Sequence, residues 1–207
     1  MIAIVNYGVG NLGSIFNMLR KAGSTDVVVT ESEQEIRQAS RIILPGVGSF
    51  DAGMEKINGS GLLDALNEAV LVERKPLLGI CLGMQLLTKG SEEGRLPGIG
   101  WIDAYTHRFA FEGEDTSLKV PHMGWNEVRP MKENGLIGGI GSSARFYFVH
   151  SYYVRCANPD DVLLSCRYGI DFTCAVQHGN IMGVQFHPEK SHKFGMQILR
   201  NFASITC

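Results

Sequence analysis

The chain opens MIAIVNYGVGNLGSIFNMLRKAG (residues 1–23). A short apolar run, IAIV, leads into glycines at positions 8, 10 and 13. LGSIFNMLRKAG then carries Leu12, Ile15, Phe16 and Leu19 at helical spacing and closes on Gly23. This is a strand, a tight turn and a helix: one βα unit. Gly8-Val9-Gly10-Asn11-Leu12-Gly13 is also a G-x-G-x-x-G, and Glu31 follows the next apolar run, VVVT. A dinucleotide-binding dehydrogenase keeps an acidic residue near that place for a ribose hydroxyl, so the opening admits that reading.

The unit repeats. DVVVT (26–30), RIILPG (41–46) and PLLGI (76–80) read as further buried strands. Helix-competent stretches at 31–40 and about 62–72 separate them, and CLGMQLLTKG opens another helix. Strands alternating with helices predict a parallel sheet with right-handed crossovers. From GIGWIDAYTHRFAF onward the pattern becomes β-rich: WIDAYTHRF, KVPHMGWNEV, RFYFVHSYYV, VLLSCRYG, FTCAVQHG and NIMGVQF, with Gly and Asn-Gly punctuation. A last helix is expected at about 194–203. The predicted architecture is α/β: a single three-layer domain over 1–207, with a mostly parallel central sheet, helices on both faces and antiparallel β additions in the second half.

Composition narrows the function classes. Apolar residues at 44% and charged residues at 19% allow a sizeable core. A net charge of −2 gives no electrostatic reason to expect nucleic acid or an anionic membrane. No apolar run approaches a membrane span, and the N-terminus lacks a secretory signal, so a cytoplasmic protein is expected. The cysteines at 81, 156, 166, 174 and 207 are odd in number and form no CxxC pair, which argues against a disulfide scaffold or zinc site.

The sharpest chemical signal is LLGICLGMQLL. Gly79-Ile80-Cys81-Leu82-Gly83 sets a cysteine between glycines at a strand-to-helix junction, the thiol version of a nucleophile elbow. A free thiol ionises near pH 8.5, so the start of the following helix would assist the thiolate. Cys156, Cys166 and Cys174 read instead as small hydrophobes, and Cys207 has no evident role. His187, in GVQFHPEKS, stands at the end of a strand-like run with Glu189 two residues on. Such a histidine can accept the thiol proton while the carboxylate orients its other ring nitrogen. His107 and His178 look like polar-face residues, and His192 reads as exposed on the last helix. A metal set of His187, Glu189 and His192 fails for want of further ligands. ILPGVGSF supplies the third element: backbone N–H groups of Val47 and Gly48, with that of Leu82, would form an oxyanion hole.

PGVG, GICLGMQ, PHMGWNEV, YFVHSYY and GVQFHPEKS, in this order, resemble the class I (triad) glutamine amidotransferases. More narrowly they resemble the glutaminase subunits of imidazole glycerol phosphate synthase, over essentially the whole chain. The resemblance implies hydrolysis of glutamine to glutamate and ammonia through a thioester on Cys81, with His187 as acid and base and Glu189 as its orienter. It implies that Gly46, Gln85, Glu93 and His150-Ser151-Tyr152 hold the glutamine, and that no cofactor is needed. It further implies a heterodimer with a (β/α)8-barrel cyclase, which uses the ammonia to make imidazole glycerol phosphate and AICAR in histidine biosynthesis. Asn11, Met123 and Trp125 would meet that partner, and Lys190 would be structural or interfacial. On this reading the glycines of YGVGNLG serve a tight turn and close packing, and a dehydrogenase would have to treat the cysteine elbow, PGVG and FHPE as coincidence.

Three segments, WIDAYTHRF, YGIDFTCAV and EKSHKFGMQ, resemble instead a paralogous branch that supplies ammonia for acetamidino sugars of surface polysaccharide. The chemistry at Cys81 would be the same there and only the acceptor would differ.

Overall fold

The computed structural model describes residues 1–111 and 118–206; Cys207 lies outside them. Five parallel strands form the heart of the sheet, in the order β2 (Val27–Thr30), β1 (Ile2–Val5), β3 (Arg41–Gly46), β4 (Leu77–Cys81) and β11 (Ile181–Val184). The four residues of β1, the five of β4 and the four of β11 are all buried, because helices cover both faces. Their side chains divide by strand alternation. Ile2, Ile4 and Ile43 face one core with Ile15 and Leu19 of α1 (Leu12–Lys21) and Ile198, Leu199 and Phe202 of α6 (His192–Ser204). Ala3, Val5, Ile42 and Leu44 face the other, against Ile36 of α2 (Glu33–Gln38), Phe50 and Ile57 of α3 (Phe50–Gly59) and Leu66 of α4 (Leu63–Asn67). A π turn over Glu68–Val72 extends α4.

The antiparallel half continues from β11 through β10 (Ile170–His178), β9 (Val162–Tyr168) and β6 (His122–Pro130) to β7 (Arg145–His150). RFYFVHSYYV divides at Ser151. Its second part, β8 (Tyr152–Cys156), leaves the main path to pair with β5 (Ala104–Arg108) and, at one position, with β10.

One expectation needs correction. The local pattern of NIMGVQF groups it with the antiparallel additions, but β11 is the fifth parallel strand. It pairs in parallel with β4, Gly183 beside Gly79 and Val184 beside Ile80, and antiparallel with β10 only on its other edge. Burial on both faces is what distinguishes it, and the local pattern does not show that. The helix after Cys81, α5, covers only Leu82–Leu86. Carbonyls at its end and just beyond accept from a returning loop: Leu86 from Ile99 N–H, Leu87 from Ile102 N–H and Thr88 from Gly100 N–H, at 2.8–3.0 Å.

Candidate active site

The carboxyl ends of β1, β3, β4 and β11 share one edge of the sheet, where open α/β sheets place their ligands. Cys81 ends β4 with φ +55° and ψ −113°, a backbone conformation rare for a residue with a side chain. The turn is possible because residue 83 is glycine: a Cβ there would lie 1.9 Å from the carbonyl oxygen of Leu44. The sulfur therefore rises at the mouth of the sheet, and Cys81 is 8% exposed. With α5 so short, the thiol's environment is set by neighbouring side chains more than by a helix dipole.

His187 follows β11, the strand next to β4, which brings it to the sulfur across a parallel pair. Its backbone is held at both ends. His187 N–H donates to Tyr147 O at 3.0 Å, and Ser191 Oγ donates to His187 O at 2.6 Å. Nδ1 lies 2.9 Å from Glu189 Oε1. A carboxylate only accepts, so Nδ1 carries hydrogen and Nε2 is the atom left for Cys81. Burial alone would lower the imidazole pKa. Interaction with the Cys81 sulfur and hydrogen bonding to Glu189, together with their charges, outweigh it and raise it to about 10. Glu189 Oε1 also accepts from Asn11 Nδ2 at 3.4 Å, while Oε2 is buried with no hydrogen-bond partner among the described residues.

A cavity of about 350 Å³ opens over Cys81 and His187. Val47, Gly48 and Leu82 line it, as do Gln85, Glu93, His150, Ser151 and Tyr152, together with Pro121 and Val149, which the sequence did not single out. Gly46 does not: it sits abreast of Cys81 in the β3–β4 pairing, buried beneath the elbow. The adjoining Pro45 carbonyl accepts from Tyr7 Oη at 2.5 Å, and burial and the neighbouring Cys81 raise the Tyr7 phenol well above its ordinary pKa.

The other groups have distinct engagements. Glu93 Oε2 accepts from Phe50 N–H at 2.9 Å, at the start of α3. Burial raises its carboxyl pKa, Phe50 N–H opposes the rise, and Asp51 adds to it. Asp51 in turn accepts from the N–H groups of Arg95 and Leu96 at 2.9–3.0 Å, pinning the segment that carries Glu93. Both ring nitrogens of His150 are engaged within the protein. Nδ1 donates to Tyr152 O at 2.8 Å, so Nε2 is the acceptor for His122 Nδ1 at 2.9 Å. His122 Nε2 then accepts from Asn126 Nδ2 at 3.0 Å. Burial lowers the imidazole pKa to about 3 at His150 and about 4 at His122, and both rings are neutral.

Asn11 turns its amide to Glu189, whereas Met123 and Trp125 stand exposed on the outer face of β6, at 61% and 40%. Trp125 stacks on His192, centroids 5.3 Å apart and planes within 7°. The G-x-G-x-x-G loop packs on the protein itself. Gly10 has φ +113°, and a Cβ there would lie 2.9 Å from Pro45 Cβ. Glu31, the candidate ribose ligand, accepts from Asn6 Nδ2 at 2.6 Å. A larger groove, about 640 Å³, lies along β6 and β9. Its one thiol, Cys166, is raised by burial to about 12, which leaves it a poor nucleophile.

The cysteine elbow stands beside a histidine–carboxylate pair at the strand ends of this sheet. The chain belongs to the class-I glutamine amidotransferase family, whose profile matches residues 3–205. It is 53% identical over 205 residues to imidazole glycerol phosphate synthase subunit HisH 2 of Pseudomonas aeruginosa, covering 99% of this chain and all of that protein. It is 52% identical over 202 residues to the protein of that name from Methanococcus maripaludis, covering 98% of each. Among solved structures it resembles PurLQS from Thermotoga maritima, with TM-score 0.71 and 17% identity over 98% of this chain and 96% of that one. At that identity the likeness concerns the fold.

Proposed function

We propose that residues 1–207 form one glutaminase domain, which acts as the ammonia-producing subunit of an imidazole glycerol phosphate synthase. The observation that carries this reading is the Cys81–His187–Glu189 arrangement at the strand ends, in a chain alignable end to end with subunits of that name. Cys81 Sγ attacks the side-chain carbonyl carbon of glutamine. The resulting oxyanion is met by the N–H of Leu82 and by the Val47–Gly48 segment, and each such donor is worth about 3–4 kcal/mol of barrier. His187 Nε2–H protonates the departing nitrogen as the C–N bond breaks, giving ammonia and a γ-glutamyl thioester. Water, deprotonated by the same nitrogen, then cleaves the thioester to glutamate and restores the thiol.

Glu93 is suited to the substrate ammonium, and the backbone of His150-Ser151-Tyr152 to its α-carboxylate. His150 offers backbone only, since its ring is engaged elsewhere. Met123 and Trp125 form the exposed apolar surface on which a (β/α)8-barrel cyclase would dock, with Lys190 near it over the Tyr147 ring and Asn11 a further proposed contact. The reading implies a cytoplasmic enzyme, in keeping with biosynthetic relatives. The relatives' names favour imidazole glycerol phosphate as the product over an acetamidino sugar.

The test is labelling with 6-diazo-5-oxo-norleucine, alone and with a cyclase subunit, read by peptide mass spectrometry. One adduct on Cys81, blocked by glutamine, is the expected result, with glutamine-dependent synthesis of imidazole glycerol phosphate by the pair. Absence of an adduct even with the cyclase present would overturn it.

A further inference from the structure

The side chain of Gln185 is completely buried, two residues before His187, and its Nε2 lies 3.7 Å from Cys81 Sγ. The sheet explains the approach. The β4–β11 pairing runs through Ile80 and Val184, so one residue further along each strand sets Gln185 beside Cys81. Gln185 N–H donates to Cys174 O at 2.9 Å, which holds its backbone in line with β10.

Neighbouring groups fix which end of the amide faces the sulfur. Gln85 Nε2 lies 3.3 Å from Tyr152 O, a carbonyl that can only accept, so this end of Gln85 is its nitrogen. The same nitrogen gives its second hydrogen to Gln185 Oε1 at 2.9 Å. With Oε1 held there, the remaining terminus of Gln185, its NH₂, points at Sγ. Reversing Gln185 would set two NH₂ groups against each other.

Resting on Cys81 as the nucleophile, we propose that Gln185 is a catalytic residue that donates Nε2–H to the Cys81 sulfur and favours its thiolate form. Hydrogen bonds to charged acceptors are stronger than neutral ones, and a buried thiolate has few other donors. The titratable groups facing the sulfur are His187, with Glu189 behind it, and Tyr7. His187 takes part in proton transfer and moves charge during turnover. The Gln185 amide carries no proton to transfer and offers a fixed dipole throughout. Gln85 and Tyr152 act through Gln185, as the anchors of its orientation.

The experiment measures Cys81 alkylation by iodoacetamide against pH, by peptide mass spectrometry, in the wild-type chain and in Gln185→Leu and Gln185→Glu, with glutaminase assays alongside. Gln185→Leu removes the donor at similar volume. Gln185→Glu keeps an oxygen for Gln85 while replacing the NH₂ that faces the sulfur, and guards against poor folding of the leucine variant. In both, alkylation is expected to move to higher pH and to slow about tenfold at pH 7, with kcat falling more than KM changes. Alkylation profiles that superimpose on the wild type would overturn the proposal and reduce Gln185 to a support for Gln85. Alkylation does not require glutamine turnover. A wild-type chain inert to glutamine with its cyclase would thus count against the glutaminase reading, while the pH profiles still decide the role of Gln185.

Discussion

Asn11 Nδ2 donates to Glu189 Oε1 across 3.4 Å, joining the first glycine-rich loop of the chain to the carboxylate that orients His187. In sequence the two are 178 positions apart; in the fold they meet because α1 begins where the turn after β11 passes. Asn11 thus bears directly on the carboxylate behind His187. Asn11→Asp places a second carboxylate against a buried one, so repulsion replaces the hydrogen bond. Its kcat for glutamine is expected to fall about tenfold or more, with Asn11→Ser intermediate, in steady-state assays with the cyclase present.

The raised pKa of His187 is expected to set the alkaline limit of activity. The proposed chemistry needs the protonated His187 ring to give its proton to the leaving nitrogen, so kcat/KM should hold its plateau until His187 loses that proton near pH 10. Glu189 is one of the groups that raises this value. In Glu189→Gln the alkaline limb should therefore move to lower pH, and kcat should drop roughly a hundredfold as the ring loses its fixed orientation. An alkaline limb unchanged in this variant would separate Glu189 from the acid–base chain.

Much of this site could be read from the sequence where its determinants are local. The G-x-C-x-G elbow and the H-P-E turn each lie within a few residues, and their types alone suggest their chemistry. The parallel placement of β11 could not be read that way, since IMGV carries the same apolar pattern whichever neighbour it pairs with. Nor could the engagement of the His150 ring, whose partner His122 is 28 positions away. Gln185 left one signal, a polar residue ending the apolar run IMGV. Its significance depends on register with Cys81, which only the sheet supplies. The G-x-G-x-x-G misleads for a related reason: the glycines meet a real steric demand, and the close neighbour is Pro45 instead of a phosphate.

The neutral His122–His150 pair should make the fold sensitive to acid. Both imidazoles have folded pKa values depressed by burial, to about 4 and about 3, while the unfolded chain protonates near 6.5. Below that value the unfolded state binds more protons. Stability is therefore full above about pH 6.5 and is lost as pH falls toward the folded values. Urea midpoints measured from pH 7.5 to 4.5 are expected to fall steadily. In His122→Asn the side-chain amide can still donate to His150 Nε2, and removing one titrating ring should make that fall shallower.

Glu93 separates binding from chemistry. If it holds the ammonium of glutamine, it lies at the end of the substrate remote from the reacting amide and contributes equally to the ground and transition states. Glu93→Gln is then expected to raise KM for glutamine about tenfold or more, the loss of one charge-assisted contact, with kcat within a few-fold of wild type. Phe50 N–H can still bond to the amide oxygen, so α3 keeps its start. The pH dependence has a definite sign. Burial raises the carboxyl pKa in the unliganded protein, and glutamine binds the ionised form, so wild-type KM should climb as pH falls through that raised value. In Glu93→Gln this rise should disappear. A KM with the same acid dependence in both proteins would assign the ammonium to another group and leave Glu93 as a cap for α3.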